Sequence, residues 1–376
     1  MRGIKRALAV IACVLAGMAS ADDGVSAHEI RIGMANALSG PAAGLGLQLR
    51  AGANALFDKV NAAGGVHGRR ILLQSVDDGY DPQQSARATH ELIETDKVFA
   101  LFGYVGTPTS TAAVPIAEKA GVPYLFPFTG AEFLRNPPKP FVFNLRASYF
   151  DETEALVAGL LAGPGPHRIG LVIQDDEFGE AGKAGVNRAL QKRGLKTTFE
   201  ARFRRNTVGI EAGLAQTVQQ APDAVIFIGT YRPLAALVKK ARAARSKTRF
   251  LTVSFVGTSE LIKHAGSAGD GIVISQVMPS PDDGDDALVR QYQADVAPSA
   301  RNYGSLEGYA DALVLVEALK RSGAALDRAR LLKELGQMKG MVGGLPLAFS
   351  PVHHQGMERV YLTQLRDGRA VPVKQF

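Results

Sequence analysis

The chain carries a single cysteine, Cys13, and no tryptophan. Cys13 lies in an N-terminal stretch that reads as a removable leader. The mature protein would then have no disulfide, no thiolate nucleophile and no cysteine metal ligand. Stability must come from core burial, which 376 residues with 46% hydrophobic content permit. Beyond the leader, no apolar run approaches the roughly 18 residues of a membrane span. Catalytic signatures are also missing. No Gly-Lys-Ser/Thr phosphate loop occurs, and Gly44–Leu45–Gly46 lacks the third glycine of a dinucleotide fingerprint. No Gly-x-Ser-x-Gly elbow is present. The one adjacent histidine pair, His353–His354, would point to opposite faces of a strand and reads as an exposed turn. Asp175–Asp176–Glu177 falls where a strand meets a helix, a place for capping carboxylates. The densest basic group runs from Lys239 and Lys240 through Arg242, Arg245 and Lys247 to Arg249, on a predicted helix and the loop after it. Without interleaved aromatics or a recognition motif it reads as a solvated face, so no nucleic acid is expected. No enzyme, cofactor or metal centre is expected either.

What is present begins with the leader. Arg2, Lys5 and Arg6 form a basic start, Ala7 to Met18 an apolar core, and Ala19–Ser20–Ala21 a small-x-small cleavage site. Residues 1–21 are therefore expected to be removed on export. Val10–Ile11–Ala12–Cys13 loosely resembles a lipoprotein cleavage box, but the apolar stretch before it is very short. The formal charge of +7 includes the three leader cations, leaving +4. That is too scattered to define a partner.

The rest alternates strand and helix. Glu29 to Leu38 and Arg70 to Val76 read as strands, with helices from Gly44–Leu45–Gly46 through Asn61 and from Pro82, capped by Asp81, to about Thr95. Val98 to Phe102 is a short buried strand breaking at Gly103 into a loop of small hydroxyl residues, Thr107 to Thr111. A helix over Ala112 to Ala120 and a strand over Val122 to Phe126 follow. Two parallel strands would thus end side by side, with a helix N-terminus aimed at the same edge. Open α/β sheets bind ligands there, and the arrangement predicts a carboxylate cradle. The proline-rich segment 136–140 interrupts the pattern, and Gly163–Pro164–Gly165–Pro166 punctuates its restart. A second series of strands (168–174, 196–203, 224–229, 250–255) and helices (179–193, 208–220, 231–244) then argues for a second lobe. Ala224 to Tyr231 repeats the hydrophobic profile of Val98 to Tyr104, so both halves present similar sheet edges. The fold class is α/β, two doubly wound parallel-sheet lobes. Tyr104, Phe128, Tyr149, Phe178 and Tyr231 all fall at strand-to-helix junctions, which suggests a cleft walled by rings.

These residues resemble the leucine/isoleucine/valine-binding type of periplasmic solute-binding proteins that feed ABC transporters. The likeness is carried by Ile30 to Gly33 with Leu38 to Pro41, Asn61 to Arg69, Gly103 to Pro127, Tyr149 with Glu152, Phe178–Gly179 and Glu307 to Ala312. It implies a type I periplasmic binding protein, with three hinge crossovers near Ala147, Val277 and Phe349. One lobe would comprise 29–147 and 278–348, the other 148–277 and 349–376. It implies that Thr107, Phe128, Thr129 and Gly130 hold the ligand's carboxylate end, that Phe178 and Tyr231 face them from the second lobe, and that Leu45 walls the side chain. The acid that takes the α-ammonium in branched-chain amino-acid binders aligns with Ser254, which cannot neutralise a buried charge. That departure points to a small carboxylate or amide, such as an aromatic acid, unless Asp151, Glu152 or Asp175 supplies the charge. The expected partners are a small-molecule ligand and the membrane permease of an ABC importer, with the protein a monomer in the periplasm. A sensor signalling to a receptor or sensor kinase is the alternative.

Overall fold

The computed structural model describes residues 24–163 and 167–376. The leader, Cys13 and Pro164–Gly165–Pro166 of the Gly-Pro punctuator lie outside the described residues. Two parallel sheets organise the rest, each flanked by helices. The first contains β1 (Glu29–Asn36), β2 (Arg70–Asp77), β3 (Ala100–Phe102), β4 (Tyr124–Leu125) and β5 (Val142–Phe143), in the order β2-β1-β3-β4-β5. Its helices are α1 (Ala43–Ala62), α2 (Pro82–His90) and α3 (Thr107–Ala120). Asp81 caps α2 with its carboxylate on the Gln83 and Gln84 N–H groups.

The second sheet contains β6 (Ile169–Gln174), β7 (Phe199–Phe203), β8 (Ala224–Ile228), β9 (Arg249–Thr252) and β10 (Val273–Gln276). Helices α4 (Tyr149–Leu161), α5 (Glu177–Gln191), α6 (Glu211–Gln220), α7 (Tyr231–Ala243) and α8 (Thr258–Ala265) belong to this half. Its parallel part runs β10-β9-β8-β6-β7. The first sheet's order is thus repeated, with β8 and β9 in the places of β3 and β4. The echo between the two sequence segments is a topological one. Leu101 and Phe102 pair with Tyr124 and Leu125 in one sheet, and Phe227 with Thr252 in the other.

From β10 the chain returns to the first half for α9 (Ala287–Asp295), α10 (Tyr303–Ser322), α11 (Arg328–Leu335) and a hairpin of β11 (Lys339–Val342) and β12 (Leu345–Ala348). It crosses back once more, and β13 (Tyr361–Arg366) and β14 (Arg369–Pro372) extend the second sheet antiparallel to β10. The dipeptide Asp367–Gly368 predicts a hairpin turn, and the turn is there, both residues at positive φ. The chain therefore passes between the halves three times.

Helix α10 runs across α1, and glycines set how close they come. A Cβ on Gly52 would collide with the Ser305 carbonyl, and one on Gly308 with the Leu49 carbonyl. The two backbones touch at both points. This contact fixes Gln48 on α1 and Glu307 on α10 over the space between the lobes.

The structure corrects the sequence reading in three places. The hydroxyl-rich stretch after Gly103 is not a loop, because α3 begins at Thr107 rather than Ala112. Gly106 is its N-cap at φ 112°, an angle that disfavours any side chain, and a Cβ there would strike the Tyr80 ring. Helix α4, which the sequence pattern predicts over Glu152 to Leu161, likewise starts early, at Tyr149, in a capping box where Ser148 and Asp151 satisfy each other's backbone N–H groups. Helix α8 had no predicted counterpart. Its three apolar residues, Leu261, Ile262 and Ala265, gave too short a pattern.

Candidate functional site

The C-terminal edges of the two sheets face each other. On the first, the Asn36 amide donates to the Gly103 carbonyl (3.0 Å) and ties the ends of β1 and β3 together. In the first turns of α3, Thr109 and Ser110 bond back to the Val105 and Gly106 carbonyls, and Thr111 to that of Thr107. Those three hydroxyls are consumed by their own helix. Thr107 differs: its Oγ1 lies 2.7 Å from Thr129 Oγ1, and Thr129 lies 3.3 Å from the Tyr149 hydroxyl. Gly130 accepts the Tyr149 N–H (2.7 Å), and a Cβ on it would sit 2.6 Å from the Tyr149 ring. A helix N-terminus, two facing hydroxyls and a glycine held against a tyrosine thus converge at one edge. Such a set can receive a carboxylate.

From the second sheet's edge come rings. Phe255 stands at the centre, 4.5 Å from Phe178, 5.6 Å from Phe128 and 5.9 Å from Tyr80, and Phe178 lies 5.4 Å from Tyr149. Further contacts cross between the lobes. The Gly44 N–H reaches the Tyr231 hydroxyl (3.3 Å), Gln48 donates to Glu260 (3.0 Å), Gln174 to the Tyr80 hydroxyl (3.2 Å), and Asn206 to the Gly79 carbonyl (3.1 Å). The lobes are in a closed arrangement. On one side of the aromatic block a cavity of about 10 Å³ remains, with Leu45, Gln48, Phe128, Ser254 and Glu307 on its wall. That is room for about one water. On the other side, Thr107 and Phe133 line an open groove of about 520 Å³ between α3 and α5.

The ten residues named from sequence are therefore placed as follows. Leu45, Phe128 and Ser254 share the small cavity, while Thr107, Thr129, Gly130 and Tyr149 form the cradle. Phe178 belongs to the aromatic block, and Tyr231 spans the lobes to Gly44, stacked on His264 at 5.2 Å. Tyr104 is not brought to the cleft. It packs on Tyr124 at 4.9 Å within the first lobe's core, its hydroxyl 3.1 Å from Thr89 of α2. Gly103, just before it, is at positive φ, and the ring joins the cluster that packs β3 and β4 against α2 and α3.

Sequence reasoning missed a buried charge cluster. Arg146, in the first crossover and 1% exposed, lies with Nε 3.2 Å from the Glu307 carboxylate and its guanidinium 4.4 Å over the Phe128 ring. Its Nη2 donates to Ser254 Oγ. Ser254 in turn donates both its N–H (2.7 Å) and its hydroxyl (3.0 Å) to Glu152, which also accepts from Ser275 (2.7 Å). A carboxylate thus stands directly behind the serine at the acid's aligned position. Of the three acids weighed from sequence, Glu152 is the one at this place. Asp151 caps α4, and Asp175 pairs with Arg202 at the surface. The only sequence signal was spacing: Glu152 sits three residues beyond Tyr149, one turn along the same helix face.

Burial dominates the electrostatics. It would pull the Arg146 guanidinium down, but Glu307 and Glu152 hold it above its ordinary value. Burial raises Glu152 and pushes Glu307 up to about 7 against the pull of Arg146. Asp311, one turn from Glu307, is raised well above the carboxylate range by burial and by Glu307. Arg135 is lowered to about 10 by burial and by Arg146; its N–H groups go to Gln355 and to three carbonyls. No group of three or more metal-ligating side chains occurs among the described residues. No described helix is long and apolar enough to cross a membrane.

Two α/β lobes with facing sheet edges, three crossovers and a buried polar cleft define a bilobal ligand-binding protein. Comparison with known proteins gives the family. Residues 29–370 match the family described as periplasmic binding protein, and the chain belongs to it. It is 26% identical over 339 residues to the leucine-specific-binding protein of Salmonella typhimurium, covering 88% of this chain and 90% of that one. A solved structure of a possible leucine/isoleucine/valine-binding protein from Rhodopirellula baltica superposes with a TM-score of 0.86 at 35% identity, covering 94% and 98% of the two chains. A substrate-binding periplasmic protein from Ralstonia solanacearum gives the same TM-score at 27% identity, over 92% of this chain and all of that one. The chain is a type I periplasmic binding protein of the leucine/isoleucine/valine-binding kind. The family and these relatives are binding proteins, not enzymes.

Proposed function

We propose that the protein is the extracytoplasmic solute-binding component of an ABC importer. It captures a small carboxylate-bearing ligand (an amino acid, an amide or an aromatic acid) between its lobes and delivers it to a membrane permease. The observation that carries this reading is the cradle: Thr107 and Thr129 with facing hydroxyls, beside the N-terminus of α3. The aromatic block opposite would cover the ligand's apolar part.

In the closed arrangement Phe128, Phe178 and Phe255 fill the space between the cradle and the second lobe, so entry requires the lobes to part about the three crossovers. Closure is then held by the bonds from Gly44 to Tyr231 and from Gln48 to Glu260. We place the lobe boundaries at 29–147 with 278–348, and 148–277 with 349–376. The protein acts as a monomer in the periplasm after removal of residues 1–21.

The test is native mass spectrometry of freshly purified protein, followed by calorimetric titration of branched-chain and aromatic amino acids and of the corresponding carboxylic acids. Binding of a carboxylate-bearing compound that Thr107→Val weakens about tenfold supports the reading. Binding only of solutes without a carboxylate contradicts it.

A further inference from the structure

Beside the cradle stands one strained residue. Tyr80, in the turn after β2, is buried with φ at 60°, a left-handed angle that is uncommon for a bulky side chain. The Asp78 carboxylate holds it there by accepting the Tyr80 N–H (2.8 Å), and Asp77 accepts the N–H of Gly79 (3.0 Å). Strain of this kind persists only where the surroundings over-determine it, and it gathers at clamps and switch regions. This turn meets the cradle on one side and the second lobe on the other.

Toward the cradle, the Tyr80 ring lies on Gly106, where a Cβ would come within 2.3 Å of it. Gly106 is the N-cap of α3, and no side chain caps that helix. Outside its own helix, this glycine is restrained by the bond from its N–H to the Phe128 carbonyl (3.2 Å) and by the ring. Glycine has more backbone freedom than any other residue, so the ring matters to how the helix begins. Thr107 follows directly.

Toward the second lobe, the Tyr80 hydroxyl accepts from Gln174 at the end of β6 (3.2 Å). The same Gln174 nitrogen donates to Asp176 (2.7 Å), which caps α5 by accepting the Phe178 N–H. The carboxylate decides which end of the amide faces Tyr80, and Gln174 Oε1 is left buried without a partner. A residue serving the core alone avoids that cost. Two more contacts bring the second lobe onto this turn: Asn206 on the Gly79 carbonyl, and Arg205, which links Asp81 (3.7 Å) to Asp176 (3.3 Å).

We propose that Tyr80 is a positioning residue through which lobe closure sets the cradle: Gln174 locks the ring against Gly106, and the ring fixes the start of α3 and Thr107. This rests on the proposed capture of a carboxylate by that cradle and adds how closure reaches it. With the lobes apart, Gln174, Asn206 and Arg205 are withdrawn from the turn, and the ring keeps only its contacts within the first lobe. Gly106 then regains its freedom, and the cradle is not yet set. Binding at Thr107 and the bond from Gln174 to Tyr80 therefore favour each other, and the coupling works in both directions.

The experiment measures Kd by calorimetry on the full mature protein, with whichever of L-leucine, L-phenylalanine, 4-methylpentanoate and 3-phenylpropanoate binds it. Tyr80→Phe keeps the ring and loses one hydrogen bond, and should weaken binding about fivefold. In a Gln174→Met background, Tyr80→Phe should add less than about twofold, because the bond is already gone. With Thr107→Val, itself worth about tenfold, Tyr80→Phe should give about 15-fold rather than the roughly 50-fold of independent sites. Asn206→Ala removes a bond across the cleft that bypasses the Tyr80 side chain, so its effect should multiply with that of Thr107→Val. Gln174→Met with Thr107→Val repeats the test from the other lobe and does not depend on Tyr80→Phe folding. Tyr80→Phe that binds as well as the unaltered protein, independent effects of Tyr80→Phe and Thr107→Val, or equal coupling by Asn206→Ala would each overturn the assignment while leaving carboxylate capture intact. Thr107→Val with unchanged affinity, or no binding by any of the four probes, would overturn the carboxylate reading and the coupling with it.

Discussion

Removing the Arg146 guanidinium should cost stability in a way that depends steeply on pH. Arg146 is the one cation set between Glu307 and the Glu152–Ser254 pair, and it is buried. Deleting one partner of a buried ion pair costs about 3–5 kcal/mol, because the remaining charge is left uncompensated. In Arg146→Met, two carboxylates lose that compensation at pH 8. At pH 5 they can protonate instead, and the cost should fall to roughly 2 kcal/mol, for the lost hydrogen bond and the imperfect fit of the new side chain. The sign follows from linkage. Glu307 already holds its proton up to about 7 in the folded protein, against an ordinary value of 4.5. The folded state therefore binds more protons than the unfolded state in that window, and stability is lost as pH rises through it. Without Arg146 the folded value climbs further, so the loss extends to higher pH. Urea titrations followed by circular dichroism and by the fluorescence of the nine tyrosines, unobscured by tryptophan, would measure this. Arg146→Met/Glu307→Gln should recover at least about 2 kcal/mol of the single variant's deficit at pH 8. Equal costs at pH 5 and pH 8, or additive single changes, would refute the reasoning.

Other outcomes follow from the same geometry. Thr107→Val removes the hydroxyl 2.7 Å from Thr129 without disturbing α3, so ligand affinity should fall about tenfold with the unfolding midpoint nearly unchanged; calorimetry and thermal melts check both halves. Gly308→Leu would force α10 away from the Leu49 carbonyl and should destabilise by about 3 kcal/mol or more, read as a shift in the urea midpoint. Tyr231→Phe removes the acceptor of the Gly44 N–H across the cleft and should raise the ligand dissociation rate about fivefold in stopped-flow displacement. Tyr104→Phe loses the hydroxyl's contacts to Thr89 and to the Ala35 backbone in the first lobe and should leave affinity within twofold by calorimetry, at a stability cost of about 1 kcal/mol.

The alternation of strands and helices was readable because each buried strand is a short apolar run bounded by glycine or a polar turn. Val98–Phe102 and Ala224–Ile228 are of this kind, and they occupy equivalent places in the two sheets. The residues around Thr107 were readable as a polar edge for the same reason. What the chain order hides is packing between distant segments. Arg146, Ser254 and Glu307 are separated by more than fifty residues at each step, and no periodicity marks a buried ion pair. Helix starts were misjudged where hydroxyl residues compete with their own backbone: Thr109 and Ser110 resemble loop residues until their hydroxyls are seen bonding back into α3. Tyr104 was misread because its neighbours in sequence reach the cleft edge while its own ring enters the core behind the sheet.

The central claim is that the ligand is held between the lobes and can leave only when they part. A Cβ on Gly44 would lie 2.5 Å from Glu260 Cγ, so α1 and α8 approach closely enough for a disulfide between Gly44→Cys and Glu260→Cys. With residues 1–21 removed, no other cysteine competes. The decisive measurement is ligand exchange in this double variant, oxidised before or after loading with the compound found by native mass spectrometry. Oxidation first should abolish binding, and oxidation after loading should retain the ligand through dialysis until a reductant is added. Exchange at the same rate in oxidised and reduced protein would contradict capture between the lobes.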